Sequence, residues 1–403
     1  MSLRRPSVVT LATVTTALAL CTVGAPAQAA GASPGLDRAA LREAIALRPD
    51  DGAAGVVAEV HRDGRTWRGT SGDAVTGKRV STKAHFRIGS VAKPMEAVIL
   101  LQLAAEGRVD LDRSVQHYLP GLLPEDRFTS PVTVRQLLNH TSGLPQDLDG
   151  ASPVPQDQDA AIDGRFDTPS FDRSIRQTLR PVGRPGPGPR FRPGTAQEYN
   201  SFGYRIAGKL IETLTGNSFH DEVTRRILKP LGMRDTATSV PGRATSVPRP
   251  YLPGYLPRST GGLVDVNRQG GLPSTMTSTG ADLDRFITGL FAGRLLRPAQ
   301  QAELFAVPRG ADGKPLPYVG SSNCNLGPAK GTACYSTVLM YFPLPDGTLL
   351  WGKTGSDMGY KAGVFATPDL NSRAVYAIGT ASSDNRAPAT AQRLALAAFT
   401  GRA

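Results

Sequence analysis

The apolar run from Met95 to Ala105 constrains this chain most, because such a run has to form a helix buried on its faces. Whatever stands at the head of that helix is pinned against the core. At the head lies Phe86-Arg87-Ile88-Gly89-Ser90-Val91-Ala92-Lys93-Pro94. With residues 90 onward helical, the i, i+3 spacing puts Ser90 and Lys93 on one face, a hydroxyl beside an amine. The unpaired N–H groups and positive dipole end of a helix start favour developing negative charge there. Gly107 is placed to end the helix as its C′ residue. A four-residue Ser-x-x-Lys pattern is common by chance, so other stretches have to support it.

Around this helix the periodicity predicts two kinds of element. Leu36–Arg48 has a helical period. Residues 55–60 and 65–69 read as strands joined by the turn His61-Arg62-Asp63-Gly64. Helical patterns follow over 132–140, 199–214, 219–232 and 283–291, the last with Thr279 and Asp282 arranged as a cap. Residues 337–342, 349–353, 359–366 and 374–380 read as antiparallel strands, and 387–399 as a closing helix. Arg180–Gly194, rich in Pro, Gly and Arg, is expected to be an extended loop. The fold class expected is α/β: an antiparallel sheet flanked by N- and C-terminal helices, with a lobe over about 36–89 and 281–403 interrupted by an all-α lobe over about 90–280.

The 403 residues suffice for one large or two ordinary domains. Arg4 and Arg5, the apolar segment Val8–Val23 and Ala27-Gln28-Ala29 read as a secretory signal peptide over residues 1–29, leaving 30–403 as a single catalytic domain. The apolar core of that leader is shorter than the ~20 residues a membrane span needs, so no stable membrane anchor is expected. The expected location is extracellular, associated with the cell envelope. Loss of Arg4 and Arg5 would still leave a basic protein, given the full-chain charge of +12. The basic residues are scattered, without zinc-ligand or aromatic RNA-binding spacing, which argues against a nucleic-acid partner and for attraction to an anionic envelope. Beyond the leader only Cys324 and Cys334 remain, an even pair that suggests a disulfide worth ~2–3 kcal/mol in an exported chain. His61, His85, His117, His140 and His220 lack metal-ligand spacing, so neither a metal nor a cofactor is expected, and the protein is expected to be a monomer.

Two further stretches support the first. Lys353-Thr354-Gly355 lies on a predicted strand and is followed by Ser356, while Tyr199-Asn200-Ser201 opens a predicted helix between the two motifs. In that order, together with Phe86-Arg87-Ile88-Gly89-Ser90, Tyr118-Leu119-Pro120-Gly121-Leu122-Leu123-Pro124 and Leu138-Asn139-His140-Thr141-Ser142-Gly143-Leu144, the chain resembles the penicillin-recognising serine hydrolases, the class C β-lactamases and serine D-alanyl-D-alanine carboxypeptidases, over nearly its whole length beyond the leader. The likeness is closest to secreted actinomycete D-alanyl-D-alanine carboxypeptidases. It implies that Ser90 attacks a carbonyl and forms an acyl-enzyme, that Lys93 and Tyr199 share the proton transfer, and that Lys353, Thr354 and Gly355 bind substrate. It also implies an oxyanion hole from the backbone N–H groups of Ser90 and Ser356. The substrates implied are peptidoglycan stem peptides or β-lactams.

The middle motif departs from the family's Tyr-Ser-Asn or Tyr-Ala-Asn. Gly203-Tyr204 fix the register so that Ser201 takes the asparagine's place, and either Ser201 or Asn200 is left to hold the substrate amide. Other motifs are weaker. Gly31-Ala32-Ser33-Pro34-Gly35 lacks the strand a nucleophile elbow needs. His140, in a short polar turn, reads as a structural hydrogen-bonding residue rather than a triad base. The reading is an exported D-alanyl-D-alanine carboxypeptidase, with a class C β-lactamase, an esterase or D-amino-acid amidase, and a catalytically inactive envelope-binding protein as alternatives.

Overall fold

A computed structural model describes residues 35–73, 75–146, 158–180, 186–320, 324, 330–344, 347–382 and 389–400. The expected leader, residues 1–29, lies outside the described residues. Six strands form one antiparallel sheet: β1 (Ala53–Arg62), β2 (Arg65–Ser71), β3 (Met340–Pro343), β4 (Leu349–Asp357), β5 (Tyr360–Ala366) and β6 (Ser372–Thr380), in the order β3-β4-β5-β6-β1-β2. The helices that position the site or cover the sheet are α1 (Arg38–Ile45), α2 (Lys93–Ala105), α3 (Val134–Leu138), α4 (Phe171–Leu179), α5 (Ser201–Thr215), α6 (Gly280–Phe291) and α7 (Ala389–Thr400).

Strand β1 is buried along almost its whole length because it is covered on both faces. Val56, Ala58 and Val60 point to one side, where Leu41 and Ile45 of α1 and Leu394 of α7 complete a core. Val57 points to the other, toward the larger core that includes Phe286 of α6 and the apolar side chains of α2. The two-residue connection Asp63-Gly64, both at positive φ, joins β1 to β2 in register, as expected of an Asp-Gly hairpin whose twist matches its strands. The terminal helices that flank the sheet and its antiparallel order match the expected architecture.

Val98, Ile99, Leu100, Leu101 and Leu103 of α2 are fully buried, each such side chain stabilising the fold by ~1.5–3 kcal/mol. The expectation of an all-helical middle region needs correction. Besides its helices, the stretch from 90 to 280 contains short ladders: Met276–Ser278 pairs with Phe86–Arg87 and Ala237–Thr238, Thr245–Ser246 with Arg268–Gln269, and Tyr255–Pro257 with Leu263–Asp265. Pairings of two or three residues are too short to leave a period-2 signal in sequence. Arg87 ties them in, donating to the carbonyls of Thr245 (3.0 Å) and Gln269 (3.2 Å).

Cys324 and Cys334 form the expected disulfide, with Cα atoms 5.4 Å apart. Of the Arg180–Gly194 loop, 181–185 lie outside the described residues and 186–194 have no helix or strand. Arg190 is nonetheless bound, donating to Glu198 at 2.8 Å. Among the described residues no helix is long and apolar enough to cross a membrane.

Candidate active site

Ser90 sits on a 3-10 turn, Gly89–Ala92, that runs directly into α2. Gly89 has φ +49, and a Cβ there would lie 2.4 Å from the Ser356 carbonyl oxygen. Gly355 faces the same junction, and a Cβ on it would come within 2.0 Å of the Ile88 oxygen and 3.0 Å of the Ser90 nitrogen. Only glycine at both positions lets strand β4 close against the head of α2. This approach brings the Ser90 and Ser356 stretches together, the two whose amides were expected to face an oxyanion.

The nucleophile candidate has two polar neighbours. Lys93 Nζ donates to Ser90 Oγ at 3.1 Å, and the Tyr199 hydroxyl donates to the same oxygen at 2.8 Å. Lys93 and Ser90 are thus juxtaposed by the i, i+3 spacing, while Tyr199 arrives from the segment that enters α5. Lys353 comes from β4. Its side chain is 2 % exposed, donates to the Thr354 carbonyl at 2.8 Å, and lies 4.6 Å from the centre of the Tyr199 ring and 5.7 Å from that of Tyr335. Thr354 is half-buried, its hydroxyl 3.7 Å from the Met340 sulfur.

The electrostatics follow from two cations around one phenol. Burial by itself would push the Tyr199 hydroxyl up, but the charges of Lys353 and Lys93, with hydrogen bonds to Ser90 and Ser201, outweigh it and bring the group down to about 7. Lys353 is in turn lowered, by burial first and by repulsion from Lys93, against the attraction of Tyr199. A phenol that ionises near neutrality, in hydrogen-bond contact with a serine hydroxyl, can accept the serine's proton.

Ser201 and Asn200 separate here. Ser201 is half-buried and hydrogen-bonds to Tyr199. Asn200 does not face substrate, contrary to the expectation. Its Oδ1 accepts from the Gly203 N–H at 2.7 Å as the N-cap of α5, and its Nδ2 donates to the carbonyls of Leu144 and Pro145, both at 3.0 Å. With the side chain 3 % exposed and both ends engaged, it has a capping role.

Residues outside the catalytic and substrate-binding motifs also support the site. His140, at φ +63, is fully buried and lies 4.7 Å from the Tyr199 ring, 5.4 Å from Tyr204 and 5.0 Å from Tyr335. Burial and then the charges of Lys353 and Lys93 hold its pKa well below the usual histidine range. Its Nδ1 accepts from the Asn200 N–H at 3.2 Å, so the ring is neutral with its proton on Nε2. The expected structural hydrogen bond is therefore present, and the ring also backs Tyr199. Gln197 uses all its hydrogen-bonding capacity: Nε2 donates to Asn139 and Tyr335 carbonyls at 2.8 and 2.9 Å, and Oε1 accepts from the Cys334 and Tyr335 N–H groups at 3.0 and 3.1 Å. Tyr335, pinned this way beside the disulfide, packs 5.5 Å from Tyr199. Gln197 lies two residues before the tyrosine motif, the one hint of its role in sequence.

Comparisons with known proteins give the family and the fold. The chain is 33% identical over 199 residues to penicillin-binding protein 4 of Amycolatopsis lactamdurans, covering 48% of this chain and 47% of that protein. It is 36% identical over 188 residues to esterase EstB of Burkholderia gladioli, covering 45% and 46%. These matches span about half the length of each curated relative. Among solved structures, a D-stereospecific amidohydrolase from Streptomyces sp. superposes with a TM-score of 0.73 at 27% identity, over 91% of this chain and all of that one. The D-amino acid amidase of Ochrobactrum anthropi SV3 shares the fold at 23% identity with a TM-score of 0.67, over 89% of this chain and 97% of that one. The Beta-lactamase family model matches residues 38–399, and with the Ser90, Lys93 and Tyr199 constellation inside that span the chain belongs to this family of serine hydrolases.

Proposed function

We propose that the protein is a D-alanyl-D-alanine carboxypeptidase that cleaves peptidoglycan stem peptides through a Ser90 acyl-enzyme and is acylated by penicillins. The observation that carries the acyl-enzyme chemistry is Tyr199, whose hydroxyl lies 2.8 Å from Ser90 Oγ and is brought down to about 7 by two lysines. As phenolate, Tyr199 takes the Ser90 proton while Oγ bonds to the substrate carbonyl carbon. The resulting oxyanion is held by the Ser90 and Ser356 amides. Tyr199 then returns the proton to the departing amine as the C–N bond breaks, leaving the ester on Ser90. Water reverses the sequence, giving its proton to Tyr199 and releasing the acid.

The peptidase reading is supported by Lys353 and by the likeness to penicillin-binding protein 4. The cation favours a substrate that ends in a carboxylate, acting at short range through Thr354. The disulfide supports an oxidising, exported location. A second reading, hydrolysis of D-amino-acid amides or esters, is favoured by the burial of Lys353 beneath Tyr199 and Tyr335, which makes the lysine a modulator of the phenol more than a contact for substrate, and by the likeness to the Streptomyces amidohydrolase.

Incubation with a fluorescent penicillin, followed by turnover of a D-Ala-D-Ala peptide, a D-amino-acid amide and a short-chain ester, tests both. Persistent labelling lost in Ser90→Ala, with the peptide as best substrate, is the expected result. Rapid loss of label indicates a β-lactamase instead, and a better amide or ester, the second reading. Absence of labelling and of turnover leaves the inactive binding protein.

A further inference from the structure

Glu96 lies one helical turn beyond Lys93, on α2, and is 2 % exposed. No salt bridge or acid–base step described above uses it. Among the described residues its Oε2 has no hydrogen-bond partner. Its carboxyl takes a hydrogen bond from Ser274, and the groups that face it are Lys93 on its own helix and Tyr204 on α5. Tyr204 is itself committed, its hydroxyl donating to the Leu138 carbonyl at 2.7 Å. Beyond Lys93, whose Nζ is 5.6 Å from the centre of the Tyr204 ring and 5.9 Å from that of Tyr199, stand Tyr199, Lys353 and the neutral His140. An ionised carboxylate with one oxygen unpaired in such a place is costly to bury, and the neutral acid is favoured.

We propose that Glu96 is a positioning residue for the Ser90 reaction: kept neutral, it leaves the charge of Lys93 undivided on Ser90 and Tyr199, and once ionised it cancels that charge and slows acylation in alkaline solution. The inference rests on the Ser90–Tyr199 reading given above. Its sign is fixed by the geometry. A negative charge next to Lys93 offsets the cation that helps to hold the Tyr199 phenolate and the developing oxyanion, so the acylation barrier rises. Burial first, against the pull of Lys93 and of the Ser274 hydrogen bond, raises the Glu96 carboxyl to about 8, within reach of ordinary assays.

The experiment is the rate of Ser90 modification by a fluorophosphonate, which needs the nucleophile but no particular substrate, measured on the full-length protein from about pH 6 to 10. In the wild type the rate should fall roughly tenfold across an ionisation near 8, as expected for losing one nearby charge in a low-dielectric site. In Glu96→Gln that alkaline fall should vanish while the acid limb stays in place. Ser274→Ala, which removes a hydrogen bond to the carboxylate, should move the fall to higher pH. The alanine variant decides the matter if the glutamine variant does not fold. Failure of Ser90 to react at all overturns the hydrolase reading along with this one. Normal reaction with the same alkaline fall in both variants overturns the role of Glu96 alone.

Discussion

Replacing Lys353 with methionine separates its two roles, tuning Tyr199 and holding a substrate carboxylate. Methionine keeps much of the buried stem and removes only the charge and its hydrogen bonds. The Lys353 nitrogen is 4.6 Å from the Tyr199 ring centre, and a unit charge at that separation is worth about 3 to 4 kcal/mol at an effective dielectric near 20. Partial exposure of Tyr199 reduces this, leaving roughly 3 kcal/mol, or about two pH units at 1.36 kcal/mol each. Losing a cation favours the protonated phenol, so the acid limb of the fluorophosphonate rate should move from about 7 to roughly 9. At neutral pH the variant should then react about a hundredfold more slowly, with or without a carboxylate on the reagent. An acid limb that stays near 7, with only the KM of carboxylate-bearing substrates raised, would refute the assignment of Tyr199 as the tuned base and leave Lys353 as an anchor.

Three other outcomes can be checked directly. Asn200→Ala should lower unfolding free energy in urea by about 1–3 kcal/mol, since it removes the α5 cap and leaves the Leu144 and Pro145 carbonyls unpaired; an unchanged stability combined with a raised KM would return Asn200 to the substrate-binding face. Gly355→Ala, whose Cβ would lie 2.0 Å from the Ile88 oxygen, should push β4 off the head of α2 and abolish Ser90 labelling while the far-ultraviolet circular dichroism stays native. His140 is held well below its ordinary 6.5 in the fold, so the unfolded chain binds the proton first and stability should fall by about 1 kcal/mol over the first pH unit below that value; His140→Asn, a residue tolerant of positive φ, should lack this component, and identical pH slopes would count against a buried neutral ring.

The six strands and the helices at either end could be read in sequence because their apolar periods span many residues and Gly, Pro and Asp punctuate them. Ser90 and Lys93 were legible for a related reason: one helical turn relates them, so spacing alone puts them together. Tyr199 and Lys353 came through a family likeness, and their distance from Ser90 depends on packing that no local pattern encodes. Asn200 was misread because an asparagine beside a catalytic tyrosine and an asparagine at an N-cap look alike; its place directly before the apolar-periodic run of α5 was the signal for the second, and its bond from the Gly203 amide is the result. His140, Gln197 and Tyr335 act through contacts across long stretches of chain, and polar residues in such roles are invisible to periodicity.

Glu96 differs from these, since a charge inside the apolar run from Met95 to Ala105 is plain in sequence, and only its surroundings give it meaning. A glutamate on a solvent-facing turn of a helix would be one more surface acid, ionised and without consequence for Ser90. Burial of α2 from Pro94 to Leu101 takes that option away, and the same burial that costs the carboxylate its charge brings it beside Lys93. The apolar run thus does two jobs through one physical cause. It fixes Ser90 and Lys93 against β4, and it keeps the acid between them and the core neutral, so that two lysines can act on one tyrosine without an opposing charge.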